Sequence, residues 1–434
     1  MGNELDKPIL EKNSFDSETQ YIKFGLSSIQ GWKTQMEDYN FYSTDIVPNS
    51  DKKIDIFGIF DGHNGPEVAK YISTNFLDVL LSSPSFKEGN YSESLKETFI
   101  KIDNSLNTEK VKQELIKISE EFRINEQQEI LEIKKTCENG NKLNEKEIEQ
   151  IKCLKNIINP RNLKNCNIAS FSGCTAIVIL ITNNIIYIAN AGNCRCIPIG
   201  KNFDVIKEKT NKLHLVNDEI EKIRIENSSN FKEKKFYPEF IETSRGFGDF
   251  EYKQNKWLKP EDQAISPEPE VIEINYEDCK YLIVGSQGFF DGNKDLKFFD
   301  KCNQDIADYF TEKIKTDKDK KFTEIIEEYF DFIVPKDRKE EDTDQSWMEN
   351  ITCFLIELLE RPKVVIEVKK EEKKKVKIIL EENKKEEGLK PKEFNKSMKN
   401  LFSFFTKMNP KNDKEEKKME NSASFSNIFK KKEK

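Results

Sequence analysis

The sequence predicts an α+β protein: a β-rich body of buried strands, several amphipathic helices, and charged segments appended to it. Three observations carry this expectation. Several short segments are continuous apolar runs, the pattern of strands covered on both faces. Others repeat apolar residues at helical spacing. Charged residues make up 35% of the 434 and are unevenly spread, too many for one evenly packed globule.

Residues 1–20 read as an N-terminal extension. Tyr21–Ser28 and Ile54–Phe60 follow as strands, then Pro66–Leu81 and Ser92–Leu106 as helices. Between about Thr108 and Asn165, Val111, Leu115, Ile118 and Phe122 recur at helical spacing. One or two amphipathic helices are expected there, inserted into the body. Ala176–Thr182, Ile185–Ala191, Cys194–Ile199, Tyr281–Gly285 and Ile351–Leu358 are further strands. Asn183-Asn184 is expected to turn a tight hairpin through left-handed dihedrals. Asp305–Lys315 and Phe322–Phe332 complete the helices. The body closes near residue 360, and 361–434 is a Lys/Glu-rich, mostly disordered tail.

The overall charge of −8 hides an asymmetry. The tail carries 23 Lys and Arg against 13 Asp and Glu, a net of +10, which leaves −18 for the rest. Such an acidic body repels phosphate backbones, so nucleic-acid binding is not expected. The tail holds one apolar island, Met398, Leu401, Phe402, Phe404, Phe405 and Met408, flanked by Lys. It reads either as an apolar interruption of a disordered tail or as a short helix that docks on a protein partner or an anionic membrane. Mean hydropathy is −0.73, and no apolar run approaches the ~18 residues of a membrane span. Met1-Gly2 would suit myristoylation, but Asp6 stands where Ser or Thr belongs. Nine Cys without a C-x-x-C spacing read as free thiols in a reducing, cytoplasmic setting. With only His63 and His214, any metal would be held mostly by oxygen, which favours Mg²⁺ or Mn²⁺.

Three motifs carry chemistry. Gly31-Trp32-Lys33-Thr34-Gln35-Met36-Glu37-Asp38 places two adjacent carboxylates after a strand. Phe57-Gly58-Ile59-Phe60-Asp61-Gly62-His63-Asn64-Gly65 ends a buried strand on an Asp, a Gly and a His. Gly62 lets the backbone approach a ligand, and its carbonyl is a cation donor. The third motif is Ser172-Gly173-Cys174-Thr175-Ala176, followed by Ala191-Gly192-Asn193-Cys194-Arg195.

In this order, and continuing through Thr243-Ser244-Arg245-Gly246-Phe247-Gly248-Asp249, Ser266-Pro267-Glu268-Pro269-Glu270, Gly285-Ser286-Gln287-Gly288-Phe289-Phe290-Asp291 and Glu349-Asn350-Ile351-Thr352, the chain resembles the metal-dependent protein phosphatases of the 2C (PPM) type. The resemblance spans roughly Tyr21 to Leu359. It implies two packed antiparallel β-sheets flanked by helices on both faces, with a flap at about 203–264. It also implies hydrolysis of phosphoserine and phosphothreonine in a phosphoprotein substrate by a water activated between two Mg²⁺ or Mn²⁺ ions. Asp61 would then bridge both metals. Gly62, Glu37 and Asp38 would serve the second, and His63 would protonate the leaving oxygen. Gln287, Asp291 and Glu349 fall in the remaining metal set, and Lys33 falls where the family's Arg clamps phosphate.

Four positions depart from that pattern: Lys33 for Arg, Gln287 and Glu349 for metal-binding Asp, and Asn193 for the Asp of Gly-Asp. They predict one tight metal site and one weakened site. Two activities follow: a phosphatase of reduced rate, or a pseudophosphatase that binds or scaffolds partner proteins.

Overall fold

A computed structural model of the chain describes residues 4–48, 50–122, 167–228, 242–291, 299–336 and 349–362. Two antiparallel sheets form the body. The first runs β1 (Glu4–Glu18), β2 (Ile22–Lys33), β11 (Ile351–Leu358), β10 (Cys279–Gly285), β7 (Arg195–Gly200). The second runs β3 (Tyr39–Ser43), β4 (Asp55–His63), β5 (Gly173–Ile181), β6 (Ile185–Ala191), β9 (Glu270–Asn275), and the short β8 (Phe247–Gly248) also pairs with β5. The helices are α1 (Glu67–Ser82), α2 (Pro84–Glu88), α3 (Tyr91–Leu106), α4 (109–122), α5 (Glu219–Asn227), α6 (Gln287–Asp291), α7 (Phe299–Thr316) and α8 (Phe322–Ile333).

Alternation of side chains explains why the strands are apolar throughout. Phe57 and Ile59 of β4 and Ile177 and Ile179 of β5 turn inward to meet Leu282, Val284, Phe354 and Ile356 of the other sheet. Their neighbours Ile56, Phe60, Val178 and Leu180 turn outward beneath α1 and α3, against Ile72, Phe76, Phe99 and Ile102. On the opposite side Ile197, Tyr281 and Ile283 pack under α7 and α8 through Phe310, Ile326 and Phe330. Three stacked apolar layers result, each fully buried Ile, Leu or Phe contributing about 1.5–3 kcal/mol.

Several elements differ from the sequence reading. The N-terminal extension is not an appendage, because residues 4–18 pair with β2 in register Phe15↔Leu26 and Asp16↔Gly25. As an edge strand it keeps polar side chains, with only Leu5 fully buried among its apolar residues, so its pattern resembles a loop. β3 and β9 were not expected either. The hairpin at Asn183-Asn184 is present, but neither Asn has a positive φ. Thr182 closes the turn instead: its hydroxyl donates to Ile185 O at 2.8 Å and accepts from Ile185 N–H at 3.0 Å. The expected helical insertion begins as α4, with Val111 and Leu115 buried, and its remainder lies outside the described residues. So do residues 229–241 of the flap and the tail with its Phe402-Phe404-Phe405 island. Among the described residues five cysteines are free and buried, and no helix is long and apolar enough to cross a membrane.

Candidate active site

Antiparallel pairing brings the ends of β2, β4 and β10 and the start of β11 to one end of the sandwich. Asn350, just before β11, ties three segments together there. Its Nδ2 donates to Gln30 O at 2.8 Å and to Gln35 O at 3.0 Å, and its Oδ1 accepts the Glu37 N–H at 2.9 Å. Thr352 donates from Oγ1 to Asp38 Oδ2 at 2.8 Å. The Gln287 N–H donates to Asp61 Oδ2 at 2.9 Å, joining the two sheets at the site.

A cluster of carboxylates results. Burial pushes the Asp38 carboxyl up to about 6, against the Thr352 hydrogen bond. Asp61 is pushed well above the usual range by burial and by the neighbouring carboxylates of Asp38 and Glu349, opposed by Lys33 and the Gln287 N–H. Lys33 is the cation of this cluster. Its ammonium lies 2.5 Å from Glu349 Oε2 and 3.1 Å from Glu37 Oε2. Burial opposes its charge, but Glu349 and Glu37 more than offset that and hold its pKa above the ordinary value. The second Glu37 oxygen, Oε1, accepts the Gly65 N–H at 2.6 Å, which Gly65 presents from a φ of 120°. Gly62 is equally constrained, since a Cβ there would collide with the Glu37 carbonyl.

Gln287 is engaged by the protein on both ends of its amide. Oε1 accepts from Asn193 Nδ2, and Nε2 donates to Glu242 Oε2 at 3.2 Å. Asn193 is held in turn by Thr175, whose Oγ1 donates to Asn193 Oδ1 at 3.1 Å. Asp291 lies one turn along α6 from Gln287, on the same face, 3.9 Å from Arg195. Burial raises its carboxyl to about 6, against Gln287 and Arg195.

His63 pairs with Asp249, Nε2 to Oδ2 at 2.8 Å. Burial works against the imidazolium, and Asp249 outweighs it, so the pKa is raised. The backbone next to His63 and at Asp249 is unusual: Asn64 and Asp249 have φ of 57° and 52°, a left-handed conformation that costs about 1 kcal/mol or more for a non-glycine. The Asp249 loop is anchored from α3, where buried Asp103 accepts the Gly248 N–H at 2.9 Å and the Lys253 ammonium at 2.9 Å. The roles of Asn350 and Thr352 and the His63–Asp249 contact were not read from the sequence. The signal for the first two was their place directly after Glu349.

Among the described residues, no group of three or more His, Cys, Asp or Glu side chains stands at metal-holding distances. The donor set nevertheless fits a hard, oxygen-seeking cation. Asp38 Oδ1 is buried without a hydrogen-bond partner, and Gly62 opens the backbone where a side chain would block it. Like charges are crowded around Asp61.

That crowding has a measurable sign. With its folded pKa at about 6, above the ~3.9 of an unfolded Asp, Asp38 binds its proton more tightly in the folded state. Its contribution is therefore fully present below about pH 4 and lost as pH rises through about 6. In EDTA, wild-type stability should fall relative to Asp38→Asn by roughly 2 kcal/mol between pH 4 and 7. Denaturant titrations at both pH values check this, and parallel curves for the two proteins would refute it.

The sequence matches the Protein phosphatase 2C family over residues 22–121 and 117–333. It is 31% identical over 295 residues to "Probable protein phosphatase 2C 3" of Paramecium tetraurelia, covering 67% of this chain and 80% of that one. It is 30% identical over 298 residues to "Protein phosphatase 2C homolog 2" of Schizosaccharomyces pombe, covering 67% and 64%. A crystal structure of a phosphatase from Toxoplasma gondii superposes with a TM-score of 0.51 at 16% identity, over 82% of this chain and 99% of that one. The chain belongs to the protein phosphatase 2C family, and its two antiparallel sheets with outer helices are the fold of these phosphatases.

Proposed function

We propose that the protein is a Mg²⁺- or Mn²⁺-dependent serine/threonine phosphatase whose first-metal set is weakened. The observation that carries this reading is the crowding of Asp38, Asp61 and Glu349 beside the paired His63 and Asp249. Asp61, Glu37, Asp38 and the Gly62 carbonyl would hold one ion, and Asp61 with Glu349 and the neutral Gln287 would hold the other less tightly. When bound, the ions would activate the attacking water and offset charge developing on the phosphoryl oxygens. With Nε2 committed to Asp249, the Nδ1 of His63 is left to give a proton to the departing serine or threonine oxygen. Asp249 is a positioning residue that fixes this orientation and favours the protonated ring.

The deciding assay is hydrolysis of a phosphothreonine peptide by the purified chain across a Mn²⁺ series. Within it, His63→Gln is expected to lower kcat about a hundredfold. Asp249→Asn should lower it about tenfold and leave KM unchanged. Equal rates for wild type and both variants would remove His63 from the reaction.

A second reading rests on the Gln287 amide, which is tied at both ends to Asn193 and Glu242. If those contacts close the first-metal set, the chain is a pseudophosphatase that binds phosphoproteins or partners without hydrolysis. Absence of hydrolysis at any Mn²⁺ concentration would select it.

A further inference from the structure

Lys33 makes two ion pairs, and both are with carboxylates proposed above to hold metal. Glu37 belongs to one metal set and Glu349 to the other, so this single ammonium spans the two. It also completes the engagement of Glu37, whose Oε1 is already taken by the Gly65 N–H. The Lys33 side chain is only 22% exposed, enclosed by the acids it pairs with.

An ammonium and a divalent cation make the same demand on a carboxylate oxygen. A hard ion such as Mg²⁺ needs that oxygen at about 2.1 Å, with other donors in near-octahedral array. An oxygen turned to an ammonium 2.5 Å away is not oriented for it, and the two cations repel at this range. An arginine here would offer a planar fork suited to gripping carboxylate or phosphate with two parallel bonds. Lysine instead carries a compact charge on a flexible four-carbon stem, which can leave one partner and swing to another.

We propose that the Lys33 ammonium is a tethered rival of the divalent ion for Glu37 and Glu349, and that loading of the site releases it to meet the phosphate of the substrate. The inference rests on the metal-dependent reading above. It adds a coupling between the two: filling the metal set makes the phosphate contact more favourable. By thermodynamic reciprocity, whatever draws Lys33 away from the two acids, a bound phosphate included, tightens metal binding by the same factor.

The test follows Lys33 itself. The full-length protein is treated with an amine-acylating reagent, with and without saturating Mg²⁺, and the labelling rate of each lysine is read by mass spectrometry. Lys33 should label at least fivefold faster with Mg²⁺, while exposed lysines such as Lys256 keep their rates. In parallel, calorimetry should show Lys33→Met binding its first Mn²⁺ at least tenfold more tightly than wild type, about 1.4 kcal/mol. If calorimetry shows Mg²⁺ bound but Lys33 labelling is unchanged, the rivalry is overturned and the metal reading stands. If neither wild type nor Lys33→Met binds Mg²⁺ or Mn²⁺, the metal reading falls and takes this inference with it. Wild-type labelling decides the matter even if Lys33→Met folds poorly.

Discussion

Asp61→Asn is expected to lower Mn²⁺-dependent phosphopeptide hydrolysis at least a thousandfold, about 4 kcal/mol of barrier. Under the proposed function, Asp61 is the one side chain shared by both metal sets. The substitution keeps shape and an acceptor: the Gln287 N–H can still bond to Asn Oδ1 as it now bonds to Asp61 Oδ2. What is removed is a negative charge held among Asp38 and Glu349 against its preference. The same variant should therefore melt at a higher temperature than wild type in EDTA. The pair of readouts separates loss of the site from loss of the fold. A variant that loses activity and melts lower would show that Asp61 acts through structure. One that retains activity would move the shared ligand elsewhere.

The second large effect runs the other way. Gln287→Asp is expected to raise Mn²⁺ affinity and hydrolysis rate at least tenfold. A carboxylate ~4 Å from a divalent ion gains roughly 8 kcal/mol of gross Coulomb energy at an effective dielectric constant of about 20, most of it cancelled by desolvation. A surplus of about 1.4 kcal/mol is enough for tenfold. The local contacts allow the change in part. Asn193 Nδ2 can donate to a carboxylate as it does to the amide, whereas Glu242 now accepts from Nε2 and would face a like charge. Gly288 offers no slack, because a Cβ at that position would strike the Asn350 carbonyl, so the shorter Asp must reach from a fixed backbone. Glu349→Asp should add to the gain non-additively, since both side chains would touch one ion. Asp61→Asn should cancel it. Calorimetric titration and phosphopeptide turnover of the single and double variants check these outcomes. If wild type is already as fast as Gln287→Asp, the amide is a working ligand and the weakened-set argument fails.

The buried strands were legible because they are buried on both faces. β5, β6, β10 and β11 read as continuous apolar runs, and continuous burial is what the three-layer packing imposes. β1 and β3 were not legible, because an edge position leaves half of each strand in water and its residues then look like loop. β9, Glu270-Val271-Ile272-Glu273-Ile274-Asn275, breaks the alternation at Val271-Ile272, and as another edge strand it buries only Ile274 fully. At the site, Glu37, Asp38 and Asp61 stood out as carboxylates at strand ends beside Gly, whereas Lys33 and Glu349 were singled out only through the family resemblance. Their mutual arrangement could not. The Lys33 bridge joins residues more than three hundred positions apart, and Asn350 does the same for the backbone of Glu37. Asp249 gave no local sign of its partner, since its bond to His63 depends on a left-handed turn that Asp rarely adopts.

The sheet order β1-β2-β11-β10-β7 sets a schedule for synthesis. β2 leaves the ribosome directly after β1 and can pair with it at once. Its other edge waits for β11, which begins 318 residues after β2 ends. At about 5–20 residues per second that wait lasts roughly 15–60 s. Throughout it, a long strand with Phe24, Leu26 and Ile29 displays unpaired backbone groups, the condition under which nascent chains mispair or recruit chaperones. A chain released before residue 351 would carry Lys33, Glu37, Asp61, His63 and Gln287 in sequence but could not assemble them. Asn350 and Thr352, which fix Glu37 and Asp38, arrive with the strand that completes the sheet.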